Sequence, residues 1–129
     1  MKTITLATLP QTTEQEVFYY VAHHLLTQNE KSLAKSDNFV RDCLYKNPDN
    51  LKCAAGCLIA DDEYKPDLEG LSWRVLADYK DVPLTHINLI ASLQIVHDKF
   101  EVKNWRLQLS ELANDFGLKF NEGVQYETT

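Results

Sequence analysis

The three cysteines are the residues of this sequence that could most directly carry chemistry. Their spacing is Cys43-x9-Cys53-x3-Cys57. If the last two lie on a helical turn, their thiols fall on one face, one turn apart. With Cys43 and a histidine they would complete a tetrahedral Cys₃His zinc site. His97 is the most economical fourth ligand, and His86 is the second choice.

The same cysteines have two other interpretations. Free cysteine often packs as a small buried hydrophobe, and the tight Cys-x2-Cys knuckle of strong zinc sites is absent. A cysteine nucleophile, at Cys53 or Cys57, would need an oriented base, but adjacent residues such as His97 and Asp98 point about 100° apart on a helix. The spacing therefore favours packing and no cofactor, with zinc at Cys43, Cys53, Cys57 and His97 as the alternative.

A second candidate site combines basic and aromatic side chains. Arg41, Tyr45, Lys52 and Tyr64 surround a predicted turn. Binding residues gather on such exposed loops, because loops tolerate the variation that recognition needs. These four residues are therefore candidates for binding an anionic small molecule.

Acidic residues are concentrated in one stretch of the chain. Residues 61–81 hold seven acidic and three basic residues, a net charge of −4 within a total of −6. Because non-specific nucleic-acid binding depends on phosphate neutralisation by Lys and Arg, this balance argues against a nucleic-acid partner. Asp61, Asp62 and Glu63 could instead form an acidic surface for a protein partner, although a solvated polar face explains the same charges.

Helices are predicted on both sides of the segment that contains the cysteines. Thr13 and Glu16 form a capping box, and apolar residues at helical spacing then predict a helix to about Gln28. A short helix is expected from residue 72 or 73 to about 79. The run from Pro83 to about 100 is apolar nearly all round, as in a buried helix. A last helix is expected from 105 to 116, and the short link before it predicts that these two helices lie side by side.

The segment between the helices is predicted to turn twice. Asn47-Pro48-Asp49-Asn50 is a turn sequence, which predicts a β-hairpin near residues 43–53. Residues 53–57 are small and apolar, and are expected to form a helical turn packed close to another backbone.

The whole chain, residues 1–129, is expected to be a single, mainly α domain of four or five helices. The extended ends, 1–12 and 118–129, either pair as two short strands or trail. No apolar run is long enough to span a membrane. Three cysteines without an export signal fit a reducing compartment, so we expect a cytoplasmic protein.

The central string from Cys43 to Gly70, including Leu-Lys-Cys-Ala-Ala-Gly-Cys-Leu-Ile at 51–59, resembles a family of small uncharacterised proteins of bacteria and their phages. The resemblance covers roughly residues 13–117 and implies no activity and no site residues. This sequence departs from the family's expected form in its Asn-Pro-Asp-Asn turn and its extended ends.

The function expected from the sequence is a non-enzymatic protein-interaction or regulatory module. A phage-type acidic protein bound to a basic host surface is one form of it. The alternatives are a small-ligand or metal-binding protein centred on residues 41–64 and, less favoured, a cysteine-dependent enzyme.

Overall fold

Helix α1 begins as its sequence predicts. In the computed structural model, which describes residues 2–34 and 42–120, the hydroxyl of Thr13 accepts from the backbone N–H of Glu16 at 3.1 Å. The Glu16 carboxylate accepts in return from the N–H of Thr13 at 2.9 Å. The helix runs Glu14–Gln28 and ends at Asn29, which takes the left-handed conformation with φ 54°. The predicted capping box is therefore confirmed.

Three more α-helices follow in the described residues, and short 3₁₀ turns lie before α1 and between the helices. The α-helices are α2 (Trp73–Asp78), α3 (Ile87–Lys99) and α4 (Trp105–Asp115). The 3₁₀ turns are Leu9–Gln11, Gly56–Leu58, Pro66–Leu68 and Val102–Asn104. The expected mainly helical domain is confirmed. None of the described helices combines the length and the apolar character needed to cross a bilayer.

Helices α3 and α4 pack against each other, as their short link predicts. The start of α3 lies later than Pro83, because His86 adopts the left-handed conformation with φ 57°. Its Nε2 lies 2.7 Å from the carbonyl oxygen of Thr12, a contact that fastens this bend to the chain before α1. The chain leaves α4 at Gly117, whose φ of 67° suits a glycine after a helix.

The predicted β-hairpin is not formed among the described residues. Only an isolated antiparallel bridge joins Lys46 and Lys52 across the turn. Side-chain oxygens accept hydrogen bonds from the backbone N–H groups that paired strands would need. The Glu69 carboxylate accepts from the N–H of Lys46 at 3.2 Å, and Gln28 accepts from the N–H of Lys52 at 3.0 Å. Ladder hydrogen bonds therefore cannot extend from the turn.

The predicted pairing of the terminal strands is also not shown in the described residues. The N–H of Leu6 donates to the Glu63 carboxylate at 2.9 Å. At the other end, the N–H of Lys119 donates to the side-chain oxygen of Gln15 at 2.8 Å, and the Gln15 amide donates back to Lys119. Each end is thus held by a side chain of another element and not by a second strand.

The small-residue turn lies where the sequence analysis expects close backbone packing. Gly56 is buried, and a Cβ added there would lie 2.0 Å from the carbonyl oxygen of Tyr45. Only glycine permits this approach, because any side chain would overlap a backbone atom. The turn at Gly56–Leu58 therefore packs directly against the backbone of Tyr45, which is itself buried.

Candidate binding groove

A groove of about 910 Å³ opens between α3, the start of α2 and the segments that precede α2. One wall is formed by α3, with Gln94, Ile95 and Asp98. The other walls are formed by residues 42–45, Cys53 and residues 69–74. The helix presents these three side chains to the groove because positions three and four residues apart share a face.

Asp98 is the polar centre of this groove. Its Oδ1 accepts from His97 Nδ1 and from Gln94 Nε2, both at 2.7 Å. The side-chain oxygen of Gln94 in turn accepts from the N–H of Ala55 at 2.8 Å, which ties α3 to the small-residue turn. Burial by itself would raise the pKa of the Asp98 carboxyl, but hydrogen bonds from His97, Cys43 and Gln94 outweigh it and hold the pKa below its ordinary value. Asp98 is therefore ionised at neutral pH.

His97 lies beneath Asp98 and is fully buried. Its Nε2 accepts from the backbone N–H of Ser32 at 3.0 Å. A nitrogen that accepts cannot carry the proton, so the ring is the neutral tautomer with its proton on Nδ1, which donates to Asp98. The ring also stacks on Trp105, with 5.5 Å between the ring centres.

Cys43 completes a group of three metal-type side chains. The ligand atoms of Cys43, His97 and Asp98 all lie within 4.8 Å of one another. The thiol of Cys43 donates to the Asp98 carboxylate. Burial, together with that carboxylate's charge, raises the pKa of this thiol to about 12. At neutral pH Cys43 is therefore a thiol and not the thiolate that binds metals or attacks substrates.

The three ligands fit zinc poorly in this arrangement. A zinc ion between Cys43 and Asp98 would have to bind Nδ1 of His97, and the ring proton would move to Nε2. Nε2–H would then face the backbone N–H of Ser32, donor against donor. The group of close ligand atoms includes Cys43 and His97 of the predicted set, and it includes neither Cys53 nor Cys57.

The other two cysteines are occupied within the small-residue turn. Cys53 is buried and its sulfur accepts from the N–H of Gly56 at 3.3 Å. The thiol of Cys57 donates to the carbonyl oxygen of Ala54 at 3.1 Å. Burial raises the pKa of both thiols far above the ordinary value. Neither has the lowered pKa that a nucleophilic cysteine requires.

The predicted anion-binding residues make structural contacts. Arg41 lies outside the described residues. The hydroxyl of Tyr45 donates to the carbonyl of Leu71 at 2.6 Å, and the ammonium of Lys52 contacts the carbonyl of Ile59 at 3.2 Å. Tyr64, another of the four predicted residues, donates its hydroxyl to the Glu69 carboxylate at 2.7 Å. An anion would therefore have to displace existing bonds and lie beside an acid.

The predicted acidic surface is also partly used by the fold. The Glu63 carboxylate accepts from the backbone N–H groups of Leu6, Ala7 and Ala60 at 2.9–3.0 Å. Asp61 lies 3.3 Å from the ammonium of Lys52 and 3.4 Å from that of Lys46. Asp62 is exposed.

Trp73 was not identified as a site residue by the sequence analysis. It lines the groove and is only 2% exposed, yet its indole N–H has no acceptor among the described residues. Two apolar side chains of the groove are open to solvent: Leu71 is 39% exposed and Ile95 is 52% exposed. The sequence feature that could have indicated a shared site for Ile95 and Asp98 is their spacing of three residues within a predicted helix.

Comparison with known proteins gave no match to a family model, to a curated protein or to a solved structure.

Proposed function

We propose that this chain is a non-enzymatic protein-interaction module that holds a segment of a partner protein in the groove beside α3. The observation that carries the proposal is the pairing of exposed apolar side chains, Leu71 and Ile95, with the ionised Asp98 in one groove. Interfaces commonly combine apolar anchors with a small number of oriented polar groups.

Binding is favoured over catalysis by the state of the polar groups. The neutral His97 makes hydrogen bonds through both ring nitrogens, so it has no free nitrogen with which to remove a substrate proton. Raised pKa values keep the three thiols protonated. Such groups orient a carboxylate more readily than they activate a nucleophile.

The acidic surface of Asp61, Asp62 and Glu63 is the second candidate for contact with a partner. It is supported by the net charge of −4 over residues 61–81. The groove ranks above it because Glu63 already accepts three backbone N–H groups and Asp61 is paired with two lysines.

Selection of peptides from a random display library would test the groove. Peptides selected on the full chain should lose about tenfold or more in affinity when Ile95→Asp places a charge among the apolar contacts. Leu107→Asp is the matched control, because Leu107 is 56% exposed and does not line the groove. If both variants weaken the peptides equally, or neither does, the groove is not the binding site.

A further inference from the structure

The Asp98 carboxylate has hydrogen-bond partners but, in the part of the chain that the structure describes, no lysine or arginine counter-ion. Among the described residues no lysine or arginine lies within ion-pair distance of its oxygens, although Lys99 lines the same groove and Lys31 contacts the backbone carbonyl of Asp98 at 3.4 Å. The partners it does have, His97, Gln94 and Cys43, are neutral. The side chain of Asp98 remains 30% exposed. Among residues 2–34 and 42–120, the negative charge of Asp98 therefore stands in the groove without an ion-pair partner.

The two oxygens of this carboxylate are not equivalent. Oδ1 already accepts two hydrogen bonds, from His97 and Gln94, which fills its two lone pairs. Among the described residues at most one further bond, from Cys43, reaches the carboxylate, so these residues leave at least one lone pair of Oδ2 free. A guanidinium binds best when it forms parallel bonds to both oxygens, whereas an ammonium needs only one. The geometry favours a single-point cation.

We propose that the partner segment places a lysine side chain in the groove, with its ammonium on Asp98 Oδ2 and apolar neighbours on Leu71 and Ile95. This inference rests on the proposed function, since it names the chemistry of the segment that the groove holds. The chain's net charge of −6 would also speed the approach of a basic segment. The buried indole N–H of Trp73, which has no acceptor within the described residues, could donate to a backbone carbonyl of the same segment.

Three short peptides that differ at one position test the proposal on the full chain. Each carries a central lysine, arginine or norleucine between leucines, and binding is followed by ¹⁵N NMR. We expect the lysine peptide to bind about five- to tenfold more tightly than the norleucine peptide, with arginine nearer norleucine. Amide signals of Ile95 and Asp98 should shift, and the indole N–H of Trp73 should move downfield. Equal affinity of the lysine and arginine peptides would overturn the assignment, as would binding of butylammonium alone with the same affinity as the lysine peptide.

Two pairs of variants test whether the preference for lysine comes from the charge of Asp98 and not from a change in the fold. Asp98→Asn should abolish the preference for lysine over norleucine, while Asp115→Asn, at an exposed aspartate outside the groove, should preserve it.

Because Asp98→Asn also disturbs His97 and Gln94, a second pair keeps Asp98 intact. Ile95→Lys sets an ammonium three residues from Asp98 on the same helix face and should remove the preference, whereas Leu107→Lys, which adds the same charge at an exposed residue outside the groove, should keep it. A preference that persists in Ile95→Lys would overturn the inference. If peptides still require Ile95 but lysine brings no gain, the proposed function stands and only the lysine assignment fails.

Discussion

The backbone N–H of Ser32 donates to Nε2 of His97 at 3.0 Å, and this bond fixes the tautomer of a fully buried histidine. Because Nε2 accepts, Nδ1 carries the proton and donates to Asp98 at 2.7 Å. Ser32 lies directly before the isolated bridge between Leu33 and Cys43. The position of its N–H therefore determines that the ring proton of His97 is on Nδ1, toward Asp98 and the groove. The orientation of Asp98 thus depends on a main-chain atom that lies 65 residues before His97 in the sequence.

The tautomer of His97 is directly measurable. We expect its ¹⁵N signals at neutral pH to show a protonated Nδ1 and an unprotonated Nε2, because a donor faces Nε2 and a carboxylate faces Nδ1. Long-range ¹H–¹⁵N correlation spectra distinguish the two tautomers, and the signals lost in His97→Gln identify this ring among the four histidines of the chain. The opposite pattern, with the proton on Nε2, would contradict the assigned bond to Ser32.

Metal binding at Cys43, His97 and Asp98 should be weak. A metal would need both a thiolate and a proton shift on His97 toward the N–H of Ser32. Titration with Co²⁺ at neutral pH should therefore give no stoichiometric thiolate-to-cobalt absorption band. Cys43→Ser supplies the baseline. A one-to-one band that disappears in Cys43→Ser would show that the polar cluster is a metal site after all.

Gly56→Ala should strongly destabilise the protein. The new Cβ would lie 2.0 Å from the Tyr45 carbonyl oxygen, so one of the two backbone segments must move. We expect a loss of about 3 kcal/mol or more in the free energy of unfolding, at the upper end of overpacking costs. Gly70→Ala is the matched control: Gly70 has φ +82° but open space around it, so only the left-handed strain of about 1–2 kcal/mol applies. Chemical denaturation measures both, and equal losses would show that the close approach is relaxed in solution.

The cysteines should react slowly in the native protein. Alkylation attacks through the thiolate, and burial with the neighbouring carboxylate raises the pKa of Cys43 to about 12. The native rate at Cys43 should therefore rise about tenfold per pH unit between roughly pH 7 and 10, without a plateau. Mass spectrometry after iodoacetamide pulses gives the rate at each cysteine, with the denatured chain as control. A plateau below about pH 9 at any cysteine would identify an activated thiol.

Glu63 should matter for stability and Asp62 should not. Glu63→Gln weakens a carboxylate that accepts three backbone N–H groups, so we expect a loss of about 1–3 kcal/mol. Asp62→Asn alters an exposed neighbour and should stay within about 0.5 kcal/mol. Thermal denaturation compares the two variants. If they behave alike, the acidic segment is a solvated face and Glu63 does not hold the chain at Leu6 and Ala7.

Much of the helical framework could be predicted because its causes are local. The capping box of Thr13 and Glu16 depends on residues three apart, and the apolar pattern of the last two helices depends on helical period alone. The expected close packing at Gly56 also follows from a local pattern of small residues. The hairpin prediction was wrong for a non-local reason, since Gln28 and Glu69 take the backbone N–H groups that a second strand would have used.

The sequence by itself determined the approximate positions of the helices, the capping box of α1 and the acidic balance, because these depend on neighbouring residues and on composition. Only the tertiary structure decided which polar groups meet. A hydrogen bond between Ser32 and His97 joins positions 65 residues apart, and no local pattern encodes such a pair. The same holds for the groove, where Trp73 of α2 and Asp98 of α3 line one cavity only because α2 and α3 pack together. The sequence identified which side chains could carry chemistry, but folding determined their protonation states and their hydrogen-bond partners.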